Sequence, residues 1–162
     1  KGNNMKIELL NQTIQEVFHR NNSIDFELNT EIKDIVYIAG PYAGNPLQNT
    51  ERACRVGKIA TDCGLASFVP HTCIYMNVYG KDEVIEERQV GIISTLSIVA
   101  HICGLRNSHL WVIKNDDGSF SKGTNQEIQI WKKIKSDLNL PLNIQIQTYA
   151  EWLHLKHSVL DK

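Results

Sequence analysis

The sequence predicts an α/β fold in which a parallel sheet carries helices on both of its faces. Short apolar runs at residues 34–40, 65–70 and 110–113 have the length of buried strands. Segments in which apolar residues recur with helical spacing lie between and after these runs. The resulting order, in which strands and helices alternate four times, is typical of a parallel sheet.

Length, composition and charge narrow the class of protein. The chain has 162 residues, which suits one domain with a sizeable core. Its hydrophobic content of 42% and charged content of 22% are those of an ordinary globular protein. A formal net charge of −1 offers no basic field to a polyanion, so we expect no duplex nucleic acid as partner.

The apolar stretches predict no membrane span. Residues 91–105 form the longest one, and it is too short and too often interrupted by polar residues to cross a bilayer. The first residues lack the apolar segment of a signal peptide, so we expect a cytoplasmic protein.

The four cysteines are predicted to be buried free thiols in a reducing compartment, because none forms a C-x-x-C pair. A zinc site built from Cys63, His71 and Cys73 lacks the tightly paired spacing of structural zinc sites. The P-loop pattern and the G-x-G-x-x-G pattern are both missing. We therefore predict no metal and no organic cofactor.

Residues 1–33 are predicted to be an N-terminal extension of a domain that spans residues 34–162. Residues 5–20 carry apolar side chains at helical spacing, which predicts a helix. Residues 24–33 are ambiguous, with an alternation that resembles an edge strand. The extension could pack on the domain or on a partner subunit.

The first half of the domain is predicted as strand, helix, strand and helix. A strand over residues 34–40 runs into a turn-rich loop, and a helix follows from about 47 to 63, ended by Gly64. A short strand at residues 65–70 precedes His71. A long helix over about residues 83–104 is opened by acids and closed by Gly104.

The second half begins with a strand at residues 110–113 and a polar loop at 115–124. The next helix is predicted to begin near Thr124 or Asn125, either of which could cap it, with Glu127 in its first turn. A strand at residues 144–148 and a helix at 149–157 close the chain. We predict one flavodoxin-like or Rossmann-like domain plus an N-terminal helical extension.

The candidate catalytic and ligand-binding residues lie in two loops that follow predicted strands. One contains Gly40 to Gly44, and the other brings the hydroxyls of Ser121 and Thr124 and the carboxylate of Glu127 to a helix start. Both lie at the carboxyl edge of the predicted sheet, where open α/β sheets bind ligands. A purely structural interpretation is also open: an acid in a first turn favours the helix dipole or completes a capping box.

The motif V-Y-I-A-G-P-Y at residues 36–42, followed by S-x-G-x-x-x-E at 121–127, resembles the nucleoside 2-deoxyribosyltransferase superfamily. That group includes nucleoside 5'-monophosphate N-glycosidases and members without a characterised activity. The resemblance covers about residues 34–148 and includes the Pro-His pair at residues 70 and 71.

This resemblance implies that Glu127 is the nucleophile and that Tyr37 hydrogen-bonds to it. Ser121 stands where the transferases often have Asp and the monophosphate hydrolases have a phosphate-binding serine. At the start of the third strand, family enzymes usually have an Asp, whereas this chain has Asn107-Ser108 followed by His109. The group that protonates the leaving base is therefore open.

The chemistry agrees with this assignment, since breaking an N-glycosidic bond passes through an oxocarbenium-like state that a carboxylate can stabilise or trap covalently. The leaving base needs a proton donor, and the candidates are Asp116, Asp117, His109 and His71. We predict hydrolysis or deoxyribosyl transfer on a nucleoside or its 5'-monophosphate. The alternative is a nucleotide-binding or sensing protein on the same scaffold.

The predicted catalytic residues are Glu127 and Tyr37. The predicted substrate-binding residues come from the strand-end loops and from the start of the third strand: Gly40, Pro41, Tyr42, Gly44, His71, His109, Asp117, Ser121, Gly123 and Thr124. The expected partner is a small nucleoside or nucleotide, together with further copies of the chain in a homo-oligomer.

Overall fold

The structure is a computed structural model that contains two compact units, Lys1–Lys33 and Asp34–Lys162. The residues that it describes are 8–9, 12–13, 34–72, 84, 86–87, 90–91, 93–95, 97–98, 108–139 and 142–159. In the first unit the four described residues are helical, and the Thr13 hydroxyl donates to the Leu9 carbonyl at 2.9 Å. The strand-like pattern at residues 24–33 lies outside the described residues.

The second unit contains an all-parallel sheet with the strand order β2-β1-β3-β4 in its described part. Its strands are β1 (Ile35–Ala39), β2 (Ala66–Phe68), β3 (Ser108–Lys114) and β4 (Leu142–Thr148). The helices whose bounds are described are α1 (Pro46–Asp62), α2 (Lys122–Leu138) and α3 (Tyr149–Val159), with a 3-10 turn at Pro70–Thr72. The predicted flavodoxin-like or Rossmann-like α/β class is confirmed.

Helices cover both faces of the sheet. Successive side chains of β1 point to opposite faces, and alternate residues therefore pack in two different core clusters. Val36 and Ile38 belong to a core cluster that includes residues of α1 and α3. Tyr37 and Ala39 belong to a second cluster, which includes Ile128 and Trp131 of α2. The site described below lies on the α2 side of the sheet.

The start of α2 differs from the sequence prediction. The helix begins at Lys122, and its N-cap is Ser121 rather than Thr124 or Asn125. The serine oxygen, three residues before Thr124, accepts a hydrogen bond from the Thr124 N–H, so the helix begins about one turn earlier than predicted. A long helix is predicted over residues 83–104. Nine described residues of this range, between Glu86 and Ile98, are helical, and most of its other residues lie outside the described part of the chain.

The described cysteines are not buried. Cys54 and Cys63 are exposed free thiols, and the prediction of burial is wrong for both. They lie on or just after α1, whose inward side is occupied by Ala53, Val56 and Ala60. Partial burial nevertheless raises the pKa of both thiols, which keeps them protonated.

In the described part of the chain, every helix is too short or too polar to span a lipid bilayer. No group of three or more His, Cys, Asp or Glu side chains there is arranged to hold a metal ion.

Candidate active site at the carboxyl ends of the strands

A hydrogen bond between β1 and α2 lies at the centre of the candidate site. The hydroxyl of Tyr37 donates to Oε1 of Glu127 at 2.7 Å, and the bond is buried. Tyr37 is fully buried, and Glu127 is 8% exposed. The structure therefore brings together the two residues that the sequence analysis proposes as catalytic.

Glu127 lies on the inward side of α2, with buried Thr124, Ile128 and Trp131 on the same side. Since Lys122 is the first residue of the helix, Glu127 is the sixth and lies in the second turn, not the first. A capping box would place its acid at the third position, which Thr124 occupies. Helix capping therefore does not account for this carboxylate.

Aromatic rings surround the Tyr37 side chain. Its ring stacks on Phe68 of β2 with the centroids 5.9 Å apart and meets Trp131 of α2 edge-on at 5.5 Å. Burying a carboxylate such as that of Glu127 is costly unless hydrogen bonds compensate for the lost water. The bond from Tyr37 provides part of that compensation and orients the carboxylate.

The beginning of α2 holds three of the predicted substrate-binding residues. The Oγ of Ser121 accepts a hydrogen bond from the Thr124 N–H at 3.1 Å and lies 2.7 Å from the Thr124 hydroxyl. Gly123 and Thr124 are buried. Both hydroxyls therefore take part in helix capping, which is the structural interpretation of these residues, while Ser121 keeps a half-buried position at the edge of the sheet.

The loop between β1 and α1 brings four predicted residues to the same edge. A Cβ at Gly40 would lie 3.3 Å from the Cβ of Ile113 on β3, so the absence of a side chain lets these strands pack closely. Gly44 has a φ of +88°, which favours glycine. The Pro41 carbonyl oxygen lies 3.0 Å from Nε2 of His71, and the Tyr42 ring lies 5.7 Å from the His71 ring.

His71 thus joins the β1–α1 loop from the 3-10 turn that follows β2. Its side chain is buried. A carbonyl oxygen can only accept, so the contact with Pro41 requires a proton on Nε2. This nitrogen is already engaged with the protein backbone, which favours a role in holding the loop.

The two aspartates after β3 are engaged in local contacts. Oδ1 of Asp117 accepts from the N–H and the hydroxyl of Ser119 at 2.8 and 2.6 Å, and these bonds hold the pKa of Asp117 below its ordinary value. A carboxylate that stays ionised is a poor proton donor. Asp116 pairs with Arg52 of α1, with Nη2 of Arg52 and Oδ2 of Asp116 3.2 Å apart.

His109 is not brought to this site. It lies near the start of β3, where it pairs in register with Val36, and its Nε2 is 3.8 Å from Oδ2 of Asp34. The remainder of the strand separates it from the carboxyl edge by roughly 15–20 Å at 3.3 Å per residue. Ser108, one of the pair Asn107-Ser108 at which the resemblance implies an Asp, begins the same strand and is buried.

Sequence reasoning missed two residues of α1 that hold the loops at this edge. Asn49 donates from Nδ2 to the carbonyl oxygens of Tyr42 and Ala43 at 3.2 and 3.1 Å. Arg52 pairs with Asp116 and lies over the Tyr149 ring at 5.0 Å. Their spacing of three places both on one side of the helix, but only the folded structure identifies their partners.

Fold and site together define a parallel α/β domain with a buried carboxylate–phenol pair at the edge where such domains bind ligands. The chain belongs to the family described as Domain of unknown function (DUF7768), which matches residues 34–140. The match begins where the second unit begins and contains both strand-end loops. No curated protein and no solved structure matches the chain.

Proposed function

We propose that this protein cleaves the N-glycosidic bond of a nucleoside or a nucleoside 5'-monophosphate. The observation that carries the proposal is the buried hydrogen bond from Tyr37 to Glu127, which orients a carboxylate that helix capping does not explain. The substrate class comes from the resemblance of residues 36–42 and 121–127 to the nucleoside 2-deoxyribosyltransferase superfamily.

In the proposed reaction, an ionised Glu127 oxygen forms a bond to the anomeric carbon while the bond from that carbon to the base breaks. The bonding electrons leave with the base, which takes up a proton. Water then attacks the anomeric carbon and releases Glu127, and a second base in place of water gives transfer. Tyr37 keeps the carboxylate in one orientation throughout, which reduces the reorganisation needed to reach the transition state.

Hydrolysis of a monophosphate is the form of this reaction that Ser121 favours. Its hydroxyl stands at the start of α2, where the dipole and the first N–H groups of a helix attract an anion. A phosphate there would lie one to two helical turns from Glu127 along α2.

The second candidate is a nucleotide-binding protein without turnover. It is favoured by the position of His109, a candidate proton donor that lies near the amino end of β3 and away from the site. It is also favoured by the engagement of Asp116, Asp117 and His71 in other contacts, since each was a candidate proton donor.

The test is incubation with a panel of nucleosides and 5'-monophosphates, with and without an acceptor base, followed by chromatography of the products. Glu127→Gln should abolish turnover while nucleotide binding persists. Asp137→Asn, which changes an exposed acid on the same helix, is the matched control and should behave as wild type. Free sugar without new nucleoside would exclude transfer, and unreactive retention of nucleotide in native mass spectrometry would favour the binding protein.

A further inference from the structure

Three consecutive carbonyl groups of the β1–α1 loop accept hydrogen bonds from side chains of two other elements. His71, after β2, reaches the Pro41 oxygen at 3.0 Å. Asn49, on α1, reaches the Tyr42 oxygen at 3.2 Å and the Ala43 oxygen at 3.1 Å through its Nδ2. The orientation of these three peptide groups is therefore held from outside the loop.

This arrangement also sets the direction of the N–H groups in the loop. The described residues contain no cis peptide bond, so each N–H points away from the carbonyl of the same peptide plane. The N–H groups of Ala43 and Gly44 consequently face away from the Asn49 side chain that holds the preceding carbonyls. Backbone N–H groups presented in this way are hydrogen-bond donors of fixed direction, suited to the oxygen atoms of a ligand.

We infer that Asn49 and His71 are positioning residues of the candidate active site, acting through the backbone of residues 41–44. This inference rests on the proposed function, in which that loop contacts the sugar or phosphate of the substrate. By holding the carbonyls, the two side chains order the loop before the ligand arrives. Less ordering entropy is then lost on binding, and the ligand is held more tightly.

The α1 helix has its own capping, so Asn49 is not needed to start it. Asn45 is the N-cap and accepts from the Gln48 N–H at 3.2 Å, and Pro46 occupies the first helical position. Gly44, with a φ of +88°, is a point where the chain has wide conformational freedom. The amide of Asn49 therefore acts on the loop, and an aspartate there would set a carboxylate against two carbonyl oxygens.

The test uses 15N relaxation of the loop amides in the full chain and steady-state kinetics with a purine and a pyrimidine nucleoside 5'-monophosphate. In Asn49→Ala and Asn49→Asp, the order parameters at Ala43 and Gly44 should fall from about 0.85 to below about 0.6. KM should rise about tenfold while kcat changes less than about twofold, since the chemistry at Glu127 is untouched.

His71→Gln, which retains a side-chain N–H donor, should disturb the loop less than His71→Ala does. Asn143→Ala removes an exposed asparagine from β4 and is the matched control, expected to leave both measurements unchanged. Unchanged loop order in Asn49→Ala, or lower order with an unchanged KM, would overturn the inference. A wild-type protein that turns over no nucleotide would overturn the proposed function, and binding titrations of the same two nucleotides would then replace KM in deciding the role of Asn49.

Discussion

The hydroxyl of Tyr37 and the carboxylate of Glu127 are joined by a buried hydrogen bond of 2.7 Å, although 90 positions separate them in the chain. One residue lies in the middle of the central strand β1, and the other lies on the sheet-facing side of α2. Removing either partner deprives the other buried polar group of this hydrogen bond, so the two residues should act as a unit in stability and in activity.

Tyr37→Phe should lower the free energy of unfolding by about 1–3 kcal/mol, because the buried carboxylate loses a donor while the ring packing stays. Urea denaturation measures this change, with an unchanged m-value as the sign of an intact fold. Turnover should also fall, since the carboxylate is no longer held in one orientation.

A double-mutant cycle with Glu127→Gln provides the control for Tyr37→Phe. Contacting residues give coupling energies of about 0.5–3 kcal/mol, and this pair should lie in that range. A coupling energy near zero would show that the hydrogen bond contributes nothing to the folded state, and the assignment of Tyr37 as the residue that orients Glu127 would fail.

The second prediction concerns Trp111 and Trp152, which stack with their ring centroids 4.5 Å apart. The Nε1 of Trp152 donates to the Val112 carbonyl at 3.1 Å, whereas the buried Nε1 of Trp111 has no partner among the described residues. Trp152→Phe should therefore destabilise the protein more than Trp111→Phe does, by about 1 kcal/mol, the net contribution of one such hydrogen bond. Equal midpoints in thermal and urea unfolding would contradict this expectation.

Most of the fold can be predicted from the sequence because it depends on local patterns. The apolar run around Val36 predicts a strand, and the helical spacing around Val56 predicts a helix. The alternation of such strands and helices along the chain predicts a parallel sheet. The start of α2 was misplaced because Ser121, Thr124 and Asn125 are all good caps by residue type. Only the geometry of the chain shows that Ser121 is the N-cap.

Only part of the candidate site can be predicted from the sequence. The resemblance directed attention to Tyr37 and Glu127, whereas their contact depends on how α2 packs on β1. The position of His109 could have been found from the sequence, since a residue at the start of a parallel strand lies at the amino edge, away from the ligand. The role of Asn49 could not, because its partners are backbone carbonyls that no side-chain pattern marks.

The third prediction concerns the start of α3, where Thr148 and Glu151 form a capping box. Oε2 of Glu151 accepts from the Thr148 N–H at 2.6 Å, and this bond holds the pKa of Glu151 below its ordinary value. Since the pKa is lower in the folded state, the stabilisation is present above the ordinary pKa of about 4.3 and is lost as the pH falls through the lower folded value.

Glu151→Ala should therefore lower Tm at pH 7, and the difference from wild type should narrow as the pH falls below about 4. Asp137→Ala removes an exposed acid from α2 and controls for the change in net charge. A Tm difference that stays constant from pH 7 to pH 2 would show that the ionised carboxylate of Glu151 is not what stabilises this helix start.

The fourth prediction separates the two roles of Ser121. Asp is as good an N-cap as Ser, so Ser121→Asp should change the free energy of unfolding by less than about 0.5 kcal/mol, whereas Ser121→Ala should cost about 1 kcal/mol. If a substrate phosphate lies at this helix start, the aspartate repels it, and Kd for a nucleoside 5'-monophosphate should rise about tenfold or more, equivalent to about 1.4 kcal/mol. The matching nucleoside, which has no phosphate, should bind Ser121→Asp as it binds wild type. Calorimetric titration of both ligands measures the difference, and an equal loss for nucleoside and monophosphate would remove Ser121 from phosphate binding and leave it as the cap of α2.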